Sequence, residues 1–300
     1  METYLECIPC LFKQSLLIAD KVNLDDDKKR QLIKSVCGLF MDEECFKQPP
    51  PVIAKGIYEF IYQLSGVKDV FRQEKKDSTQ EALSFYYHLR RRVNESTDPL
   101  LEAIRISILG NIIDFGALCN FNLENEIKII DQKHFAVFDY QNFKDVLDKA
   151  DSILYIADNA GECVFDKVLI ETLGKKIFYA VRSKPIINDA TFEDAKCAGI
   201  DEVAEIVDSG SELPGILLDN VNPKFLSLFR SVPLIISKGQ GNFETLSDVE
   251  APLFFLLQAK CSLVSRMFSC EIGDFILSCS AKRMSEEKKE ANSSKKLLKN

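Results

Sequence analysis

Histidine is scarce in this sequence: His88 and His134 are the only two in 300 residues. That scarcity argues against a Ser-His-Asp or Cys-His mechanism. Neither histidine lies beside a cysteine, and Cys7-Ile-Pro-Cys10 has no second C-x-x-C to complete the four ligands of a structural zinc site. The pair therefore reads as buried or redox-inert. The ten cysteines are scattered without the framework of a disulfide-stapled secreted domain, so most are expected as reduced thiols packed like small apolar groups. Basic residues are not in excess. With 38 Lys and Arg against 46 Asp and Glu, the net charge of −8 argues against a nucleic-acid binder held by phosphate contacts, while leaving room for small anions. Long apolar runs are lacking as well: stretches such as 253–257 are too short to span a bilayer. The opening METYLECIPC is acidic where a signal peptide would be basic, so a cytoplasmic location is expected. Both G-x-G-x-x-G and G-x-x-x-x-G-K-[ST] are missing, which disfavours nucleotide-dependent chemistry.

What is present fits a globular chain with a sizeable core, at 46% hydrophobic and 28% charged residues. The first half reads as helices. Leu32, Ile33, Val36, Leu39 and Phe40 follow the acidic start Asp25-Asp26-Asp27. After Pro49-Pro50-Pro51, Ile53, Ile57, Phe60, Ile61 and Leu64 mark a second helix stopping at Gly66. Thr79 is expected to cap a third, and Asp98-Pro99 to open a fourth that runs into GNIIDFG from Gly110. No strand is expected before about residue 135.

The second half alternates strands with helices. Strands are expected at 153–157, 177–181, 203–207, 234–237, 253–257 and 275–278, and helices between them at 162–173, 192–198 and 223–229. This order implies right-handed crossovers and a mostly parallel sheet covered on both faces. The fold class is therefore α/β, with a helical part at 1–145, an α/β domain at 146–281 and a charged tail at 282–300 expected to fray or be disordered.

Three strand ends carry candidate chemistry. Asp158-Asn159-Ala160-Gly161-Glu162 follows the first expected strand and opens a helix. One residue suffices to cap a helix, whereas two adjacent oxygen-bearing side chains plus Glu162 suit a hard divalent cation. Asn188 and Asp189 follow the next strand; Thr191 and Asp194 beyond them form a T-x-x-D capping box. Asp189 is thus a candidate for a second carboxylate on a cation held by Asp158. Lys238-Gly239-Gln240-Gly241-Asn242 follows the strand at 234–237, its glycines permitting close approach and Lys238 offering a cation to phosphate. Asn111 and Asp114, at i and i+3 in an apolar segment, serve either as caps or as pocket-facing groups.

Taken together, Cys7-Ile-Pro-Cys10, GNIIDFG from Gly110, DNAGECVFDK from Asp158, VRSKPIINDATFEDA from Val181 and KGQGNFETL from Lys238 resemble, in order along the chain, the metal-dependent damage-control phosphatases, a domain of unknown function numbered 89. The match is to the mainly prokaryotic subgroup with an N-terminal cysteine pair. The resemblance implies a helical N-terminal subdomain packed on a Rossmann-like α/β/α three-layer domain. It implies a phosphatase acting on sugar phosphates or on damaged and side-product phosphometabolites, with Mn²⁺, Ni²⁺, Co²⁺ or Mg²⁺ as cofactor. By motif, Asp158, Asn159 and Asp189 would be catalytic and hold the metal; Lys238 and Asn242 would bind phosphate; Asn111, Asp114 and Glu162 would shape the pocket. The family usually carries Asp-Pro-Tyr, then a Lys and an Asn. Here Asp69-Val70-Phe71 is followed by Lys75, with Thr79 where the Asn is expected, which implies altered specificity if those positions hold substrate. Two rival readings stand beside this one. An S-adenosylmethionine-dependent carboxyl methyltransferase would want a Gly-rich loop where DNAGE offers one glycine. A non-catalytic phosphometabolite-binding protein would keep the pocket without turnover. A small metabolite, not nucleic acid or membrane, is the expected partner.

Overall fold

A computed structural model describes residues 1–111 and 123–280. Asp114 and the tail at 282–300 lie outside the described residues. Three helices open the chain: α1 (Cys7–Lys21), α2 (Asp26–Leu39) and α3 (Pro50–Ser65). They enclose a small core of their own, built from Leu11, Ile18, Leu32, Val36, Ile53 and Ile57. Their boundaries follow local chemistry. Asp25 caps α2 by accepting from the Lys28 amide at 2.9 Å. Pro50 and Pro51 occupy the first turn of α3, where a missing N–H is harmless, and Gly66 ends it at φ 73°.

Next come α4 (Arg72–Glu95), α5 (Pro99–Gly110) and α6 (Leu123–Lys128). Asp98 caps α5 as expected, accepting from the Leu101 amide at 3.1 Å. Thr79 does not start a helix. It is buried inside α4, its hydroxyl donating back to the Lys75 carbonyl at 2.7 Å, the bond by which a threonine satisfies itself within a helix.

The remainder alternates: β1 (Phe135–Phe138), α7 (Tyr140–Lys149), β2 (Ser152–Ile156), α8 (Cys163–Leu173), β3 (Lys176–Val181), α9 (Phe192–Cys197), β4 (Glu205–Asp208), α10 (Pro223–Ser231), β5 (Leu234–Lys238), α11 (Gly239–Leu246), β6 (Leu253–Gln258), α12 (Ser262–Phe268) and β7 (Phe275–Cys279). The strands form one sheet in the order β1-β7-β6-β5-β2-β3-β4, parallel throughout except between β6 and β7. All six expected strands are present. Edge strand β1 was not among them; its four residues, FAVF, lack alternation, and it joins the sheet through β7.

Alternate residues of each strand enter different layers. Ile153, Tyr155, Ile177, Tyr179, Leu234, Ile236, Phe254 and Leu256 face α4, α5, α7 and α8. Leu154, Ile156, Ile235, Phe255 and Leu257 face α10, α11 and α12. A strand buried on both faces needs no polar alternation, which is why β2, β5 and β6 read as plain apolar runs. Helix α5 lies directly on α8: a Cβ on Gly110 would stand 2.8 Å from the Phe165 Cβ, so only glycine allows this approach. Among the described residues no helix is long and apolar enough to cross a membrane.

The described cysteines are free, but they are not mostly packed inside. Cys163 and Cys279 are buried, whereas Cys10, Cys37 and Cys197 are exposed. Cys10 lies in the first turn of α1, on the side away from the small helical core.

Candidate active site

The chain runs from β2 to β3 and β4 on one side, then crosses back and places β5 on the other side of β2. The switch point thus lies between β2 and β5, where the crossovers diverge and leave a crevice beyond the strands' carboxyl ends. Asp158 and Asn159 follow β2, and Gly239 follows β5.

Backbone pairing draws the next strand end into the same crevice. The Ala190 amide donates to the Asp158 carbonyl at 2.8 Å, the Ala160 amide donates to the Asn188 carbonyl at 3.0 Å, and Asn159 forms an antiparallel bridge with Asp189. Asp158, Asn159 and Asp189, expected together from motifs 30 residues apart, are therefore neighbours through main-chain hydrogen bonds. Thr191 and Asp194 form the expected capping box and fix α9 just beyond.

Two asparagines orient the carboxylates. Asn111, at the end of α5, donates to Asp158 Oδ2 at 2.8 Å and to Glu162 Oε2 at 2.9 Å. Asn159 Nδ2 donates to the same two oxygens at 2.9 and 3.3 Å, which leaves its Oδ1 as the atom available to a cation. Asn111 Oδ1 is buried and has no hydrogen-bond partner among the described residues.

Lys238 and Asn242 stand behind this layer rather than facing the crevice. The Lys238 ammonium, fully buried, donates to the Ser107 carbonyl at 2.9 Å, to Asp166 Oδ1 at 2.7 Å and to Glu162 Oε1. Those are its three N–H groups. Burial opposes its charge, but Asp166 and Glu162 outweigh that and hold its pKa above the ordinary lysine range. Asn242 donates to the Ala157 and Lys238 carbonyls at 2.9 and 2.7 Å, and its Oδ1 accepts from Arg182 Nη2 at 3.0 Å. Both side chains are committed to the protein; a phosphate would have to displace those partners to reach them.

Several groups at the site were not singled out from the sequence. Asp166 lies one helical turn after Glu162 and accepts from Ser107 and from the hydroxyls of Tyr155 and Tyr179 as well as from Lys238. A lone acid on the apolar side of α8 was the available signal. Arg182, two per cent exposed, donates from Nε to Asp189 Oδ2 at 2.8 Å. Its signal was an arginine directly after a buried strand.

Among the described residues of this buried cluster, the carboxylates of Asp158, Glu162, Asp166 and Asp189 outnumber the cations paired with them, Arg182 and Lys238, with Lys75 also acting on Asp189. Burial pushes Asp189 up to about 6 even though Arg182 pulls it down. Among the described residues no group of three or more His, Cys, Asp or Glu side chains is arranged to hold a metal. The candidate trio has two carboxylates and takes its third oxygen from an amide. Oxygen donors, a surplus of negative charge and the orphaned Asn111 Oδ1 together fit a divalent cation of the hard class.

The sequence profile of the damage-control phosphatase ARMT1-like domain matches residues 3–276. The chain belongs to this family. It is 34% identical over 293 residues to an uncharacterised protein of Methanocaldococcus jannaschii, covering 91% of this chain and 93% of that one. It is 32% identical over 272 residues to the damage-control phosphatase PH1575 of Pyrococcus horikoshii, covering 89% and 94%. The crystal structure of PH1575, described as a DUF89 family protein, superposes with a TM-score of 0.84 at 30% identity over 93% of this chain and 99% of that one. The helical and α/β parts described above thus form the fold of this damage-control phosphatase family.

Proposed function

We propose that this chain is a metal-dependent phosphatase that hydrolyses phosphomonoesters of small metabolites, sugar phosphates or damaged and side-product phosphometabolites among them. The observation that carries this reading is the meeting of Asp158, Asn159 and Asp189 at the sheet's switch point, in a buried cluster with more negative than positive charge. Membership of a family whose relatives are named damage-control phosphatases supports it.

In this reading Asp158, Asn159 Oδ1 and Asp189 hold the cation, for which Mn²⁺, Mg²⁺, Co²⁺ and Ni²⁺ are the candidates. When bound, it supplies positive charge to the phosphoryl oxygens and polarises phosphorus for attack. The protein's own residues do the rest by positioning. Asn111 and Asn159 fix one oxygen of Asp158. Asn111 Oδ1, a buried acceptor, is suited to orient a water. Lys238 and Asn242 act as positioning residues: Lys238 holds Glu162 and Asp166 in place, and Asn242 ties Arg182 to the ends of β2 and β5.

The test is phosphate release from a panel of sugar phosphates and p-nitrophenyl phosphate, using metal-stripped protein with each cation added back and Asp158→Asn as control. Metal-dependent turnover lost in the control is the expected result. A folded protein that releases no phosphate with any of the four cations overturns the reading, and retained affinity for phosphorylated ligands would then identify a binding protein.

A further inference from the structure

The seam between the helical part and the α/β layers contains buried polar atoms that the cluster above does not use. Lys75 ties the two parts together. Its ammonium, almost fully buried, donates to Asp194 Oδ2 at 2.9 Å and pairs with Asp69 Oδ2 at 3.1 Å. Asp194 caps the helix that follows Asp189, and Thr191 beside it bridges to Arg182. Asp69 precedes α4, and Tyr58 projects from α3. Three atoms here are buried and have no hydrogen-bond partner among the described residues: the Tyr58 hydroxyl, Asp69 Oδ1 and Arg182 Nη1. Asp189 and Asp69 both act on the Tyr58 hydroxyl, Arg182 pairs with Asp189, and Lys75 acts on Asp189 while pairing with Asp69, so the three orphans share one neighbourhood. Buried polar groups in native proteins are nearly always satisfied, so these orphans point to a ligand that completes them.

We propose that Tyr58, Asp69 and Arg182 form the substrate-recognition pocket of this site, with Arg182 Nη1 and the Tyr58 hydroxyl donating to the phosphoryl oxygens and Asp69 Oδ1 accepting from a hydroxyl of the leaving group. The assignment rests on the phosphatase reading above. Arg182 is already fixed by Asp189 through Nε and by Asn242 through Nη2, so Nη1 is presented without further ordering. A planar guanidinium whose Nη1 has both N–H groups to spare suits a phosphoryl oxygen, whereas the Lys238 ammonium has none left. Burial, then the charges of Asp189 and Asp69, push the Tyr58 hydroxyl well above its usual range and keep it a neutral donor. Asp69 repels phosphate and offers an acceptor, so its complement is an alcohol. The pocket therefore selects phosphomonoesters of hydroxylated carriers over those of a plain aryl alcohol.

The experiment compares glucose 6-phosphate with p-nitrophenyl phosphate in the Mn²⁺-loaded wild type and in Tyr58→Phe, Arg182→Lys and Asp69→Ala, each first shown to be folded by its melting transition. Tyr58→Phe and Arg182→Lys are expected to raise KM about tenfold for both substrates, with the smaller change in kcat. Asp69→Ala is expected to lower the ratio of kcat/KM for the sugar ester to that for the aryl ester at least tenfold. Ratios and KM values within twofold of wild type in all three variants would overturn the pocket while leaving the phosphatase intact. If the wild type turns over neither ester, calorimetric titration of the Mn²⁺-loaded protein with glucose 6-phosphate decides the pocket alone. Binding weakened tenfold by Tyr58→Phe would support it without the phosphatase, and absence of binding by the wild type, or no change in Tyr58→Phe, would overturn it.

Discussion

Gly239 lies so close to Asp158 that a Cβ on it would stand 1.8 Å from the Asp158 Oδ2 atom. The contact exists because α11 starts directly at the end of β5, with Gly239 at φ 76°, a backbone conformation that disfavours any side chain. Gly239→Ala is therefore expected to do two things at once. The left-handed backbone strains by about 1–2 kcal/mol, which for a chain of this size lowers the melting temperature by roughly 2–4 °C. The carboxylate must also move, so phosphate release is expected to fall at least about 100-fold, a loss of the size seen when one catalytic electrostatic contact goes. Near-normal turnover in a folded Gly239→Ala protein would show that Asp158 need not stay where it is.

Cation binding is expected to be visible without any turnover. A ligand that binds only the folded state stabilises it by about 2.7 kcal/mol at a concentration one hundred times its dissociation constant. Metal-stripped wild type is therefore expected to melt several degrees higher when Mn²⁺ is restored. Asp158→Asn and Asp189→Asn each remove one of the two carboxylates of the trio, and each is expected to lose most of that shift along with phosphate release. Equal Mn²⁺-induced shifts in all three proteins would place the cation elsewhere.

How much of this site was legible in the sequence depends on where its hydrogen bonds run. Asp158, Asn159 and Asp189 stand at strand ends whose apolar runs are plain to read, and a parallel sheet brings such ends to one edge. Lys238 is expected at phosphate because the two glycines after it permit close approach and its ammonium is a cation. Its three acceptors come from Ser107, Glu162 and Asp166, the first of them 131 residues away, and no local spacing reports such a contact. Helix α11 is not among the helices expected from the sequence, although Asn242, Phe243 and Leu246 lie at helical spacing on its buried side. Thr79 has the residue type of a cap, but α4 had begun two turns earlier. Strand β1 is an edge strand of four residues, stabilised by pairing with β7 from the far end of the chain.

Lys238 anchors two carboxylates in the interior: its side chain and those of Glu162 and Asp166 are fully buried. Lys238→Met keeps volume and removes the charge, leaving both acids uncompensated. Breaking a buried ion pair from one side destabilises by about 3–5 kcal/mol, so urea melts are expected to show a loss of that order. Burial already lifts Asp166 above the ordinary aspartate range against the pull of Lys238. Adding Asp166→Asn to the lysine variant removes one of the stranded charges and is expected to recover part of the stability. If the double variant is as unstable as the sum of the singles, the lysine is not acting through Asp166.

Glu244, on α11 and away from the cluster, gives the protein a pH dependence of its own. Burial pushes its carboxyl up to about 7 from 4.5, although the Gln240 amide, donating to Oε1 at 2.8 Å, pulls the other way. A raised pKa means that the folded state holds the proton more tightly than the unfolded chain. The resulting stabilisation is full below about pH 4.5, declines as pH rises to about 7 and is gone above that. Glu244→Gln imitates the protonated form at every pH. It is therefore expected to resemble the parent near pH 4.5 and to exceed it above pH 7 by on the order of 3 kcal/mol, with a flatter profile between. Urea melts of both proteins at pH 5, 6, 7 and 8 read this directly. Parallel profiles would mean that Glu244 ionises in the folded protein as readily as in the unfolded one.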